Sequence, residues 1–387
     1  MRLSIVASAL VAALVGFGGT LALIVSAARA AGADAAQTAS WVTGICLAVA
    51  ATSAILSIRH RAPIVTAWST PGAALIAAST VPVGIEAASG AFLLAAGLIL
   101  VTAAVKPIGD LVARIPTAVA SAMLAGVLLR FVLAVFESAQ TSPWLVLPLV
   151  ALFLVARLAS PMGAVLVVLV AGVALAFAQG LVGPLPAGIG LSQLALVVPQ
   201  FEPAVLIGLG VPLYLVTMAS QNLPGFAVLK AAGYPVPVRS ILTVTGLASA
   251  ASALVGAHTN NMAAITAALC TGPDAHPDPA KRWLTGPALG VIYVVLAAFG
   301  ASLVALFAAL PGDLVKTVAG VALMGPLVGS LGAAMAQEQT RFAAGLTLAV
   351  TASGFAMGGI GSAFWGLAAG LAAIGLDAAR ARLVARR

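Results

Sequence analysis

The sequence predicts an all-α polytopic membrane protein of about fourteen spans, built as two inverted seven-span repeats. Three observations predict it. Of the 387 residues, 62% are hydrophobic and only 7% charged, whereas a soluble domain carries roughly a quarter charged residues. The apolar windows are long rather than alternating, which selects helices over a barrel where the solvent satisfies no backbone group. Basic residues alternate between the two faces that such a span count creates, and local patterns recur about half a chain apart.

In chain order the first windows fall near residues 3–28, 37–58, 63–80, 85–105, 115–136, 143–158 and 161–179. The second set falls near 203–231, 238–256, 258–272, 283–309, 314–335, 340–356 and 359–378. That is about one per 25 residues, near the minimum a ~30 Å hydrocarbon core allows. The first window resembles a secretory signal, with alanine-rich sites near residues 29–33, but Leu3 to Ala28 is too long for a signal core. A retained first span is expected.

With the N-terminus inside, the cytoplasmic segments hold Arg2, Arg59, Arg61, Lys106, Arg114, Arg157, Lys230, Arg239, Lys281, Arg282, Arg341, Arg380, Arg382, Arg386 and Arg387. The opposite face holds only Arg29 and Lys316, so both termini are placed in the cytoplasm of an inner-membrane protein. Arg130 falls inside a span, where either snorkelling or pairing accommodates it. The formal charge of +8 is then a topology signal; nucleic-acid binding would need a basic patch on a soluble surface.

The first repeat is assigned to residues 1–190 and the second to 191–387. Ile115-Pro116 opens a span containing Ala125-Gly126-Val127, and Leu310-Pro311 opens one containing Ala319-Gly320-Val321. An extended run ending at Ser69-Thr70-Pro71 corresponds to one ending at Asn260-Asn261. An odd number of spans per half inverts the second half, a recurring plan of secondary transporters.

Spans three and ten read as broken. Ile64 to Trp68 is β-branched and aromatic, and Ser69-Thr70-Pro71-Gly72 then supplies an N-cap and an early proline. About five extended residues at ~3.3 Å bring that helix start near the membrane midplane. On the other side Val255 to Thr259 reads as extended, with Asn260 or Asn261 capping a helix to Cys270. Two helix N-termini meeting in low dielectric make a site for an anion such as a carboxylate. An ordinary kink at Pro71 and Gly256 is the alternative.

Span eight carries Thr217, Ser220, Gln221 and Asn222 before Pro224-Gly225. Amides at that depth face either a cavity or a neighbouring helix. Gly16, Gly18, Gly19 and Thr20 in span one permit close approach of either a ligand or a helix. All ten acidic residues lie near predicted span ends, which leaves His258, beside the second break, as the proton-coupling candidate; a neutral hydrogen-bonding role is the alternative. Glu86 and Glu202 follow if the boundaries shift by a turn. Cys46 and Cys270 sit in apolar segments with no pairing pattern or metal-ligand spacing.

The runs Thr66 to Leu75, Ser220 to Phe226 and Ala263 to Ala268, with Ser121 to Arg130 and Thr271 to Pro279, closely resemble the benzoate:proton symporter (BenE) family over nearly the whole chain. The resemblance implies a fold like that of uracil and xanthine permeases, with a core domain from spans 1–4 and 8–11 and a gate domain from spans 5–7 and 12–14. Substrate would lie between spans three, eight and ten. The expected function is proton-coupled uptake of benzoate or a similar small aromatic carboxylate; a permease for another planar or anionic solute, such as a nucleobase or substituted benzoate, is the alternative. The site expected is Ser69, Thr70, Gly72, Gln221, Asn222, Thr259, Asn260, Asn261, Gly19 and Thr20, with Ser69, Thr70, Gln221, His258 and Asn261 lining the pocket. Departures from the family pattern fall at Gly18-Gly19-Thr20, Ser26 and Thr259-Asn260. No catalytic residue, metal or cofactor is expected, the proton gradient being the energy source, since HExxH, GxSxG and CxxC are absent. A homodimer is implied by family analogy alone.

Overall fold

The structure, a computed structural model, describes residues 3–18, 20–79, 83–105, 116–160, 163–184, 188, 190–263, 265–358 and 360–384. Gly19 of the expected site, Ile115, Asp110 and the basic residues Arg2, Lys106, Arg114, Arg386 and Arg387 lie outside them.

The first half runs α1 (Leu3–Ala13), a π turn at Leu14–Gly18, α2 (Leu21–Ala30), α3 (Ala35–His60), β1 (Thr66–Trp68) and α4 (Thr70–Ala77). It continues with α5 (Ile85–Ala104), α6 (Thr117–Thr141), α7 (Pro143–Ala159) and α8 (Ala164–Ala178). The second half has α9 (Pro203–Ala231), with π turns at Leu206–Gly210 and Met218–Asn222, then α10 (Val238–Ala253), β2 (Asn260–Met262) and α11 (Ile265–Thr271). It closes with α12 (Thr285–Ala298), α13 (Gly300–Ala309), α14 (Gly312–Met335), α15 (Arg341–Ala352) and α16 (Ser362–Val384).

A helix, or a strand followed by a helix, occupies each predicted window. Among the described residues 7 helices are long and apolar enough to cross a bilayer, and the bent pair Pro279–Ala298 and Gly300–Ala309 makes up to 8. The window expected as one span at 283–309 is thus bent by 60°. The strand–helix units are short because extended residues cover more distance than helical ones.

The helices sort into two bundles. In one, α6 lies along α14, both meet α15, α16 closes over α15, and α7 and α8 flank α14. In the other, α3 lies along α12 and α5 along α10, with α1 against α11 and α12 and α2 against α4. α3 starts at a capping box: Gln37 N–H donates to Asp34 Oδ1 at 2.8 Å, and Asp34 N–H to Gln37 Oε1 at 3.0 Å. It ends at Arg61, whose φ of 48° is left-handed and whose guanidinium lies 4.2 Å from the Trp283 ring centroid.

β1 and β2 pair antiparallel, with Thr66 opposite Met262, Ala67 opposite Asn261 and Trp68 opposite Asn260. This corrects the expected second break: Asn260 and Asn261 do not cap a helix. The ladder to β1 holds them extended, and the helix begins at Ile265. Gly256, at φ 81°, makes the turn out of α10 while Ala257 N–H donates to Ser252 O at 2.9 Å. Gly225 lets α9 touch β2, since a Cβ there would lie 2.6 Å from Met262 Cβ.

Candidate functional site

Antiparallel pairing lets the two breaks satisfy their backbone groups against each other and against neighbouring serines. Thr66 N–H donates to Ser53 Oγ of α3 at 3.0 Å, and Asn260 N–H donates to Ser249 Oγ of α10 at 2.9 Å. Ser69 N–H reaches Thr259 O at 3.0 Å, and Ala263 N–H reaches Val65 O at 3.1 Å. Each strand is thereby tied to the helix before it, and all of these groups are out of contact with water.

α4 starts as its sequence requires. Ser69 Oγ accepts from Gly72 N–H at 3.0 Å, and Pro71 sits in the first turn. A Cβ on Gly72 would fall 2.6 Å from Leu213 Cδ1, so its role is close packing beneath the cap. Thr217 Oγ1 donates to Ser69 Oγ at 3.2 Å and shares a 2.9 Å hydrogen bond with Thr259 Oγ1. Asn222 Oδ1 accepts from Met262 N–H at 3.0 Å and so fixes α9 to the end of β2. Asn261 Nδ2 donates to Met262 O at 2.8 Å, while Asn260 Oδ1 accepts from Thr52 Oγ1 at 3.3 Å.

A cavity of about 860 Å³ opens in front of this crossing, at the upper end of the volumes that hold small molecules. Its inner wall is formed by Thr70 and Pro71 at the start of α4, Ala263 and Thr266 around the start of α11, and Ser220, Gln221 and Pro224 of α9. Pro224, which has no N–H to donate within the helix, follows directly on the π turn of α9. Gly16, Thr20, Trp68 and Tyr293 form the side wall. Trp68 Nε1–H donates to Thr20 Oγ1 at 3.0 Å, and Thr20 donates on to Gly16 O at 2.6 Å. The indole meets Phe17 and Tyr293 edge to face, with centroids 5.8 and 5.9 Å away.

The far wall belongs to the other bundle: Thr117, Ser121 and Leu124 of α6, Phe153 of α7, and Met324, Gly325, Pro326, Val328, Gly329 and Ser330 of α14. Among the described residues lining the cavity, the one charged side chain is Arg157, exposed at the end of α7. Two helix starts and one cation give the space a positive bias.

Of the residues expected at the site, Thr20, Thr70 and Gln221 line the cavity. Ser69, Asn222, Thr259, Asn260 and Asn261 lie behind the wall, buried, and hold the strands and the α4 cap in place. The expectation that Ser69, Asn261 and His258 face the pocket is corrected accordingly. His258 is 0% exposed; its Nδ1 takes Trp41 Nε1–H at 3.1 Å, and its Nε2 lies 3.0 Å from Ser69 O. An indole donor on Nδ1 and a carbonyl acceptor on Nε2 select the neutral Nε2–H tautomer. Both nitrogens are committed, so the imidazole buttresses the α4 cap, and the proton-carrier role expected of it has no free nitrogen to use.

Trp68 appeared in the sequence as a strand former within a family-like run, and Arg157 only as a topology marker. Ser121 and Thr266 entered only through the runs that carry the family resemblance, and Tyr293 carried no signal, because it sits in an unremarkable apolar window and reaches the cavity only through tertiary packing.

Comparison with known proteins adds to this geometry. The family described as benzoate membrane transport protein, BenE, matches residues 1–376. The chain belongs to the BenE family. Among BenE relatives, it is 36% identical over 371 residues to the benzoate membrane transport protein of Acinetobacter baylyi, covering 96% of this chain and 94% of that one. It is 38% identical over 359 residues to the inner membrane protein YdcO of Escherichia coli, covering 93% and 92%. This BenE protein is a membrane transporter and not an enzyme.

Its fold is shared by solved membrane-protein structures, BicA and SLC26A9 among them. The transmembrane domain of the cyanobacterial bicarbonate transporter BicA superposes with a TM-score of 0.62 at 16% identity, covering 95% of this chain and 97% of that one. SLC26A9 superposes with a TM-score of 0.62 at 13% identity, and covers 96% of this chain and 64% of that one. The relation to uracil and xanthine permeases implied by the family resemblance finds no support in these neighbours.

Proposed function

We propose that this BenE protein is a secondary active transporter of the inner membrane that takes up benzoate, or a similar small aromatic carboxylate, in symport with a proton. The observation that carries the reading is the cavity: an aromatic wall of Trp68 and Tyr293 faces two helix starts, with Arg157 at the mouth. A flat ring packs against the aromatic edge while its carboxylate points to Thr70, Gln221 and the N-terminal turns of α4 and α11. Transport by the A. baylyi relative and by the BicA domain, both named for anionic solutes, supports the anionic choice.

The bundle containing both breaks is the core domain, and the α6–α8 and α14–α16 bundle is the gate; alternating access is relative movement of the two. Fourteen segments in two inverted repeats, with both termini cytoplasmic, is the arrangement this requires. Two observations support the inverted relation. β1 and β2 run antiparallel, and each strand rests on a serine of the helix before it, Ser53 for Thr66 and Ser249 for Asn260.

The test is uptake of radiolabelled benzoate into proteoliposomes, with and without an inside-alkaline pH gradient, against protein-free liposomes. Protein-dependent accumulation that collapses with the gradient is expected. Uptake no greater than the leak refutes benzoate, and competition by a panel of carboxylates and nucleobases then identifies the solute class.

A further inference from the structure

The two short helices that start at the cavity end in different ways. α11 ends at Thr271, whose carbonyl accepts from Arg282 Nη1 at 2.8 Å. Arg282 Nε–H donates to His276 O at 2.7 Å as well, and Nη2 reaches Pro277 O at 3.4 Å. Every partner lies in the segment leading from α11 to the arginine, so this guanidinium travels with the helix end it covers.

α4 ends at Ala77, with Ala78 as its C-cap. The Ala78 carbonyl accepts from Arg130 Nη1 at 3.2 Å, and Arg130 is a half-buried residue of α6, in the opposite bundle. A helix C-terminus carries unpaired carbonyls and partial negative charge, so a guanidinium is favourable at either place. The same interaction is internal to one bundle at α11 and crosses the boundary between bundles at α4.

Position on α6 gives this difference its consequence. Thr117, Ser121, Leu124 and Leu128 line the large cavity, whereas Arg130, two residues past Leu128 and on another face of the helix, lies with Val127 beside Leu75, Ala78 and Ser362 around a space of only about 20 Å³. Arg130 therefore sits at a contact between the bundles just past the Leu128 end of the cavity, whereas Arg157 lines the cavity itself at the exposed end of α7.

We propose that Arg130 is a positioning residue of the transport cycle. Bonded to the Ala78 carbonyl, it holds the conformation in which the cavity opens toward Arg157, and it releases α4 when the opposite side opens. The inference rests on the alternating-access reading above. It does not depend on which solute is carried.

The experiment reads cavity access without substrate. Cys46 and Cys270 are buried, so Ala219→Cys, on the cavity wall, provides the one reactive thiol for an impermeant maleimide applied to either face of oriented membrane vesicles. Adding Arg130→Gln should slow labelling from the Arg157 face and speed it from the other, by roughly three- to tenfold, the scale a charge at a helix end commands. Arg282→Gln removes a comparable cap within one bundle and should leave both rates near those of the parent. Unchanged rates in Arg130→Gln, with a loss of thermal stability matching Arg282→Gln, would overturn the proposal and make Arg130 a plain helix cap. Should Arg130→Gln not accumulate in the membrane, Arg130→Lys decides: a smaller shift in the same direction supports the latch, and no shift overturns it. Loss of benzoate uptake by the parent would leave these labelling rates untouched, so the two readings fail separately.

Discussion

Asn222 offers the sharpest test of how the cavity wall is held. The side chain is 0% exposed, its Oδ1 accepts from Met262 N–H at 3.0 Å, and its Nδ2 points to Met218 Sδ at 3.4 Å. Asn222→Leu keeps most of the volume but leaves the Met262 N–H buried without an acceptor, at a cost of about 1–3 kcal/mol. Met262 ends β2 one residue before Ala263, which lines the cavity, so the strain falls on the start of α11. If the junction relaxes by moving, the population with an ordered site falls by roughly 5- to 150-fold, and apparent benzoate affinity falls with it. The assay is equilibrium binding of radiolabelled benzoate to detergent-purified protein beside its thermal unfolding curve. Gln221→Leu is the comparator: it removes a cavity-facing amide and buries no orphan, so it should weaken binding while leaving thermal stability near that of the parent. Parent-like binding and stability in Asn222→Leu would refute the reasoning.

Three further outcomes follow from the same contacts. Ser53→Ala and Ser249→Ala each orphan one strand N–H, so each should lower stability by about 1–3 kcal/mol in thermal unfolding, and by similar amounts if the two breaks are inverted equivalents. Thr20→Val removes the acceptor for Trp68 Nε1–H, whose indole borders the cavity and can find water there. It should therefore weaken benzoate binding several-fold, with a stability change of about 0.5–1.5 kcal/mol or less. His258→Gln retains a donor for Ser69 O, and uptake should keep its response to the pH gradient; a gradient-independent residue of uptake would restore the proton-carrier role.

The features legible in the sequence are those set by local chemistry. Long apolar windows located the helices, and Ser69-Thr70-Pro71-Gly72 located the start of α4 because capping and early proline are local rules. The second break was found but misread: Asn260 and Asn261 are good cap residues in isolation, and only pairing with β1, almost two hundred residues away, makes them a strand. The same limit explains the site. Gln221 and Thr70 stood out as polar groups at mid-span, whereas Tyr293 reaches the cavity only because α12 packs beside α1, and Phe153 because α7 flanks α6. His258 was conspicuous as an ionisable group at depth, but its partners Trp41 and Ser69 come from distant segments, and they decide that it braces the fold.

The central claim is that the carboxylate ring sits in the cavity between the starts of α4 and α11. The most direct measurement is a crystal structure with 4-bromobenzoate, located by the anomalous signal of its bromine. The account predicts one peak in the cavity bounded by Trp68, Thr70, Gln221 and Tyr293, lost on excess unlabelled benzoate. A bound bromine elsewhere, with that cavity empty, would contradict it.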